Sequence, residues 1–186
     1  FDASADGYVR GEGAVVFHIE PLERALAAGR RVHSIIRGTA MTQDGHVQAG
    51  FTVPREAAQV AALQAAYTQA GVDPADIAYV EAHGPGTKVG DPIECRALGT
   101  VLGAGRPADK PCLGGSIKTN LGHLEGAAGA VGLLKAVLVA RERQVPANLH
   151  FQTPNPDIPF SDLRLRVADA VQPLPGSGPA RVGVNS

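Results

Sequence analysis

Two histidines, a lysine and a glutamate sit in glycine-rich turns of this chain. His83 and Glu94 belong to Val80-Glu-Ala-His83-Gly-Pro-Gly-Thr87-Lys-Val-Gly-Asp91-Pro-Ile-Glu94, and Lys118 and His123 to Ser116-Ile-Lys118-Thr-Asn120-Leu-Gly-His123-Leu-Glu125. Each histidine follows a predicted strand, so both imidazoles are expected to face one pocket above the carboxyl ends of neighbouring strands, where open α/β sheets hold their ligands. Two neutral imidazoles in such a pocket can hold an oxygen on which negative charge develops.

Residue types alone leave structural alternatives open. A histidine in a Gly-rich turn can cap backbone groups, and His123 can be a helix N-terminal residue behind a Thr119-Asn120 capping region, where the helix end would keep its imidazole neutral. A lysine at a strand end is ordinarily solvated. Asp91-Pro-Ile-Glu94 fits a capping box with Asp91 as N-cap, which accounts for Glu94 without catalysis. Glu125 reads as a helix-start acid. A metal site built from His83, Glu94 and His123 is disfavoured, because zinc enzymes of the HExxH kind bring their ligands together at helical spacing and these residues lie on separate turns. Cys95, inside a predicted helix, and Cys112, opening a predicted strand, read as small core residues rather than nucleophiles, zinc ligands or a disulfide framework. The glycines at 7, 11 and 13 do not make a GxGxxG dinucleotide signature.

The elements that must position these turns alternate, which favours a layered α/β architecture. Val15 to Ile19 and Val32 to Ile36 are β-branched runs expected as strands, joined by a helix over Pro21 to Ala28 that stops at Gly29. Met41 to Phe51 carries Asp-Gly and Gly50 without periodicity and reads as a loop, with a seam at 45/46. Val60, Leu63 and Tyr67 give one apolar stripe on a helix over Pro54 to Ala70, stopped by Gly71. Ile77 to Ala82 is the strand delivering His83, a helix follows from Asp91 to about Leu102, and Cys112 to Ile117 is the strand delivering Lys118. A helix from about Leu124 to Arg143 spaces Gly126, Gly129 and Gly132 three apart, a bare strip against which another helix can pack. Leu163 to Val167 and Arg181 to Val184 are strand-like.

Composition excludes several classes. With 186 residues, 44% hydrophobic content and a net charge of −1, the chain can bury one substantial core and carries no basic patch for nucleic acid or a membrane surface. No segment has a signal-peptide layout, the most apolar run, Gly126 to Ala140, is broken by Lys135, and two isolated cysteines fit a reducing cytoplasm.

The two histidine motifs, together with Phe1-Asp-Ala-Ser-Ala-Asp-Gly7-Tyr-Val-Arg-Gly11-Glu-Gly13, Gln43-Asp44-Gly45, Pro154-Asn155-Pro156 and Gly183-Val-Asn185-Ser186, resemble the ketosynthase domain of modular type I polyketide synthases, and more broadly the β-ketoacyl synthases of the thiolase fold. The resemblance covers essentially the whole chain but only the later part of such a domain. It implies a layered α/β/α/β/α fold, with residues 1–45 closing the N-terminal half and 46–186 forming most of the C-terminal half. It also implies that the nucleophilic cysteine lies upstream of Phe1 and that a Gly-Phe-Gly-Gly-type loop follows Ser186, so the fragment alone is expected to be inactive.

By the same resemblance, His83 and His123 act on the enolate formed when a malonyl-type extender thioester loses carbon dioxide, Lys118 orders the hydrogen bonds beside His123, and Glu94 supports them from behind. Thr87 is a candidate to bind the phosphopantetheine arm, whereas Pro85 replaces the threonine usual at its position and removes one hydroxyl. The implied function is decarboxylative Claisen condensation with an acyl thioester, with substrates carried by an acyl carrier protein, no cofactor or metal bound directly, and a homodimeric parent. A decarboxylase-only starter domain and a non-elongating, carrier-protein-binding or structural domain are the alternatives.

Overall fold

The computed structural model describes residues 1–45 and 53–186; the end of the expected loop at Met41 to Phe51, and the seam placed at 45/46, run into residues outside that description. The chain runs through α1 (Leu22–Ala27), α2 (Glu56–Ala70), β1 (Tyr79–Glu81), α3 (Gly90–Leu102), β2 (Cys112–Gly115), α4 (Lys118–Leu121), α5 (Ala128–Glu142), β3 (Gln144–Val145), β4 (Leu165–Val167), β5 (Gln172–Pro173) and β6 (Val182–Val184). Strands β4, β2, β1 and β6 form one sheet in that order, every pair parallel, while β3 and β5 make a small antiparallel pair.

Both faces of the parallel sheet are covered, as parallel sheets require. Val80 and Cys112 point to one side, where they pack with Leu98, Val101 and Leu102 of α3 and Leu63 of α2. Their chain neighbours Tyr79 and Leu113 point to the other, against Val139 of α5 and Val145. Alternation at a period of two thus decides which helix each strand residue meets. Helix α2 ends as its sequence predicts, with Gly71 left-handed at φ 61° and ψ 39°, its N–H donating to the carbonyl of Thr68.

Three expectations are corrected. The runs Val15 to Ile19 and Val32 to Ile36 form no strand: among the described residues no strand offers them hydrogen bonds, and Val16 (95% exposed), Ile19, Ile35 and Ile36 face outward. Their β-branched pattern describes a pleated surface but cannot supply the neighbour that makes a ladder. The glycine strip of the last long helix takes the sheet rather than a helix. A Cβ on Gly132 would touch Glu81 and Val184 at 3.4 and 3.7 Å, and one on Gly129 would touch Ser186. Gly126 lies outside α5, in a 3-10 turn over Glu125–Ala127, and faces nothing. Finally, the capping box at Asp91 and Glu94 does not form: α3 begins at Gly90 without a side-chain cap, and both carboxylates turn toward the His83 turn instead.

Beyond α3, Arg106 ties the connections on the far side of the sheet from the site. Its Nε donates to the carbonyl of Leu102 at 2.9 Å, and its Nη2 donates to those of Ile77 and Pro74 at 2.8 and 3.1 Å. Hydrogen bonds from a charged donor are among the stronger ones. Arg106→Ala is expected to cost about 2 kcal/mol in urea denaturation, with Arg106→Lys recovering only part of it because an ammonium cannot span three carbonyls.

Candidate active site

Strands β1 and β2 are adjacent and parallel at the centre of the sheet, with Tyr79 opposite Leu113 and Glu81 opposite Gly115. Their carboxyl ends therefore deliver two turns side by side, one carrying His83 and the other Ser116 to Lys118. The imidazoles of His83 and His123 meet edge to face, with ring centroids 5.1 Å apart. The structure thus brings together the two histidines that the sequence suggested for one pocket, and Lys118 stands close enough for its charge to act on both.

The His83 turn is held by carboxylates. Glu94, 3% exposed, accepts from the N–H of His83 through Oε1 at 2.7 Å and from that of Gly84 through Oε2 at 2.8 Å. Asn185 Nδ2 donates to the same Oε1 at 2.6 Å. Burial raises the pKa of Glu94 against these three donors, which favour the carboxylate. Asp91 accepts from the N–H of Gly86 at 3.0 Å, so the two acids expected to cap α3 fasten the loop before it. That loop needs glycine: Gly86 has φ +84°, and a Cβ there would lie 2.6 Å from the carbonyl oxygen of Gly7. Thr87 Oγ1 accepts from the N–H of Gly90 at 3.1 Å, which leaves its hydroxyl proton free to donate elsewhere.

His123 does not start a helix as expected. It lies between α4 and the 3-10 turn, with α5 beginning five residues later, and Thr119 and Asn120 are inside α4. Its backbone is clamped by the N-terminal segment: its N–H donates to Val9 at 2.7 Å, and its carbonyl accepts from Gly11 at 3.0 Å. The ring of Tyr8 packs beside its imidazole, centroids 5.0 Å apart. His123 Nδ1 accepts from the N–H of Glu125 at 2.9 Å. A neutral His123 therefore carries its proton on Nε2 and can donate from there. Glu125, expected only as a helix-start acid, adopts φ +50° to give that N–H and makes an exposed ion pair with Arg10.

The electrostatics keep both rings neutral. Burial, then the charges of Lys118 and His123, lower the His83 pKa to about 4. His123 is lowered as well, by burial and Lys118, with Glu125 opposing; the cause is not a helix end. Burial lowers Lys118 too, against the attraction of Glu94, Glu81 and Asp91. Among the described residues no cluster of His, Cys, Asp and Glu fits a metal ion, and no helix is long and apolar enough to cross a membrane. Cys95 and Cys112 are buried, and burial pushes the Cys112 thiol up to about 12 and that of Cys95 well above its usual value. Both are core residues, as their positions suggested.

Sequence reasoning passed over four residues. Glu81 was visible as a lone acid in an apolar strand and Lys135 as a lone cation in the apolar run of α5, but neither signal names its partner. Asn185 and Tyr8 lie in stretches that contributed only to the overall likeness, and nothing in their types points to Glu94 or His123.

Comparison with known proteins agrees with this geometry. The family profile described as β-ketoacyl synthase, C-terminal domain, matches residues 33–152. A phenolphthiocerol/phthiocerol polyketide synthase of Mycobacterium bovis is 56% identical over the whole chain, which spans 10% of that relative's length. The crystal structure of ketosynthase twelve of the bacillaene polyketide synthase from Bacillus amyloliquefaciens superimposes with a TM-score of 0.89 at 36% identity, covering 96% of this chain and 32% of that one. An oxazolomycin ketosynthase domain from Streptomyces albus gives 0.84 at 31% identity, covering 96% and 31%. A parallel sheet between helical layers, two facing histidines at its carboxyl edge and these matches have one meaning: the chain belongs to the β-ketoacyl synthase family, as a C-terminal portion of a thiolase-like ketosynthase domain of the polyketide synthase type.

Proposed function

We propose that this segment supplies the enolate-stabilising half of a ketosynthase that elongates a polyketide chain by decarboxylative Claisen condensation. The observation that carries the reading is the facing pair of imidazoles, with the Glu125 N–H donating to His123 Nδ1 and so leaving Nε2 as its donor when the ring is neutral. A malonyl-type thioester, delivered on the phosphopantetheine arm of an acyl carrier protein, places its carbonyl oxygen between the two rings. As the carboxylate leaves as carbon dioxide, its electron pair passes to the α-carbon and charge spreads to that oxygen, where His83 and His123 donate. The enolate carbon then attacks the carbonyl of an enzyme-bound acyl thioester, the carbon–carbon bond forms, and the thiolate departs. Lys118 contributes positive charge beside the rings, and Glu94 keeps the His83 turn in place.

The nucleophile of this reading is a cysteine elsewhere in the parent polypeptide, because the buried, high-pKa thiols of Cys95 and Cys112 are unsuited to the task. Residues 1–45 would then close the N-terminal half of the domain and 46–186 form most of its C-terminal half, in a homodimeric, cytoplasmic parent. No cofactor or metal is assigned to the segment itself.

In the intact synthase, His83→Ala or His123→Ala is expected to lower carbon dioxide release from the malonyl thioester on the order of 100-fold, the effect of losing one oxyanion donor. Self-acylation should change far less. Equal loss of both activities in a folded variant would sink the division of labour.

The pH dependence has a definite sign. Because the His83 pKa lies near 4 in the folded protein and near 6.5 when unfolded, only the unfolded chain takes up this proton as pH falls below about 6.5. The folded state therefore loses stability progressively between those values, and none of this loss is present above them. An NMR titration of the His83 ring should show a midpoint well below 6.5, and wild type should lose more melting temperature than His83→Gln between pH 7 and 4.5.

Thr87, with its hydroxyl proton uncommitted, is assigned to the arm's amides. Thr87→Val is expected to raise KM for the carrier-borne extender severalfold while kcat holds, and Thr87→Ser, which keeps both the hydroxyl and the bond from Gly90, should restore it. An unchanged KM for Thr87→Val removes the assignment.

A further inference from the structure

Behind the site, β1 and α5 share a buried ion pair that the reaction does not use directly. Lys135 Nζ lies 2.9 Å from Glu81 Oε2, with the side chains 7% and 1% exposed. The Tyr79 hydroxyl donates to the same oxygen at 2.5 Å, and the ammonium stands 5.6 Å from the Tyr79 ring centroid. Gly115 makes room: a Cβ there would lie 3.2 Å from the Tyr79 hydroxyl and 3.5 Å from Lys135 Nζ, while one on Gly132 would only touch Glu81 Cγ at 3.4 Å. Stability alone explains this poorly, since well-packed apolar residues generally serve as well as a buried ion pair.

What an apolar replacement lacks is a fixed acceptor. Glu81 Oε1 accepts from the N–H of Ile117 at 2.5 Å, one residue before Lys118. The carbonyl of Glu81 accepts from the N–H of Asn185 at 2.8 Å, and the Asn185 side chain donates to Glu94, which holds the N–H groups of His83 and Gly84. The Glu81 side chain therefore reaches the Lys118 turn directly, whereas the link toward Asn185 and the His83 turn starts from the main-chain carbonyl that any residue at 81 supplies. We propose that the Glu81–Lys135 pair is a positioning device for the site: Lys135 anchors the Glu81 carboxylate, and that carboxylate sets the backbone that aims Lys118. The inference rests on the enolate-stabilising reading given above.

The test uses the intact synthase, with two variants and two readouts: kcat and KM for decarboxylation of the malonyl thioester, and amide hydrogen exchange over residues 116–119. Lys135→Met leaves the Glu81 carboxylate without its cation. It is expected to lower kcat tenfold or more with KM within twofold, and to speed exchange at Ile117 and Lys118. Glu81→Leu/Lys135→Met removes both charges and refills the space. It should regain most of the melting temperature lost by Lys135→Met but neither kcat nor slow exchange at Ile117.

A folded variant of either kind with kcat within twofold of wild type overturns the proposal. So does a fall of kcat and melting temperature in step, without local exchange change, and so does failure of both variants to fold, which would make the pair a folding requirement. If the wild-type synthase releases no carbon dioxide, the enolate reading fails instead, and the exchange comparison still decides whether Glu81 fixes the Lys118 turn.

Discussion

The buried carboxylate of Glu94 constrains everything around it. A carboxylate removed from water must be met by donors, and here those donors are the backbone N–H groups of His83 and Gly84 and the side chain of Asn185. Satisfying Glu94 therefore fixes the turn that carries His83, because the chain cannot move that turn without stranding the carboxylate. The same logic runs through Asp91 to Gly86 and through Glu81 to Ile117. Three acids on β1 and α3 thus act as backbone clamps for the loops between the sheet and the pocket, and none of the three hydrogen-bonds to either imidazole.

This division explains how neutral rings persist so near a lysine. Burial disfavours protonation of both histidines and Lys118 adds to it, and the acids that attract Lys118 bond to main-chain N–H groups rather than to either ring. Charge is present at the site, but under the proposed reading the hydrogen bonds to the developing oxyanion would come from groups that start uncharged, so negative charge would gain donors without a carboxylate competing for them.

Much of this was legible in residue order. Helices stopped by Gly71, strands delivering His83 and Lys118, and the core character of Cys95 and Cys112 follow from periodicity and turn chemistry, which act over a few residues. Three things were not legible, for three physical reasons. Val15 to Ile19 and Val32 to Ile36 look like strands because side-chain shape is local, whereas a ladder needs a partner. Asp91 and Glu94 look like a capping box because the spacing is right, yet deeper unsatisfied donors in the His83 turn compete for both carboxylates. The environment of His123 was misassigned to a helix end because the strand-like hold of Val9 and Gly11 upon it joins segments more than a hundred residues apart. That His83, Lys118, His123 and Glu94 lie together was suggested by motif; the contacts of Glu81, Lys135, Tyr8 and Asn185 around them were hidden in long-range pairing.

The sheet order also sets a sequence of events in time. Strand β6 flanks β1 in parallel register, and Asn185, which secures Glu94, lies 91 residues after it. On a translating ribosome adding about 5–20 residues per second, that separation amounts to roughly 5–18 seconds. During that interval β1 has an open edge and the Glu94 carboxylate lacks one of its donors. The histidine pocket is therefore among the last parts of this segment to become rigid, and a nascent chain paused before residue 182 would carry both histidines without the strand that holds their scaffold together.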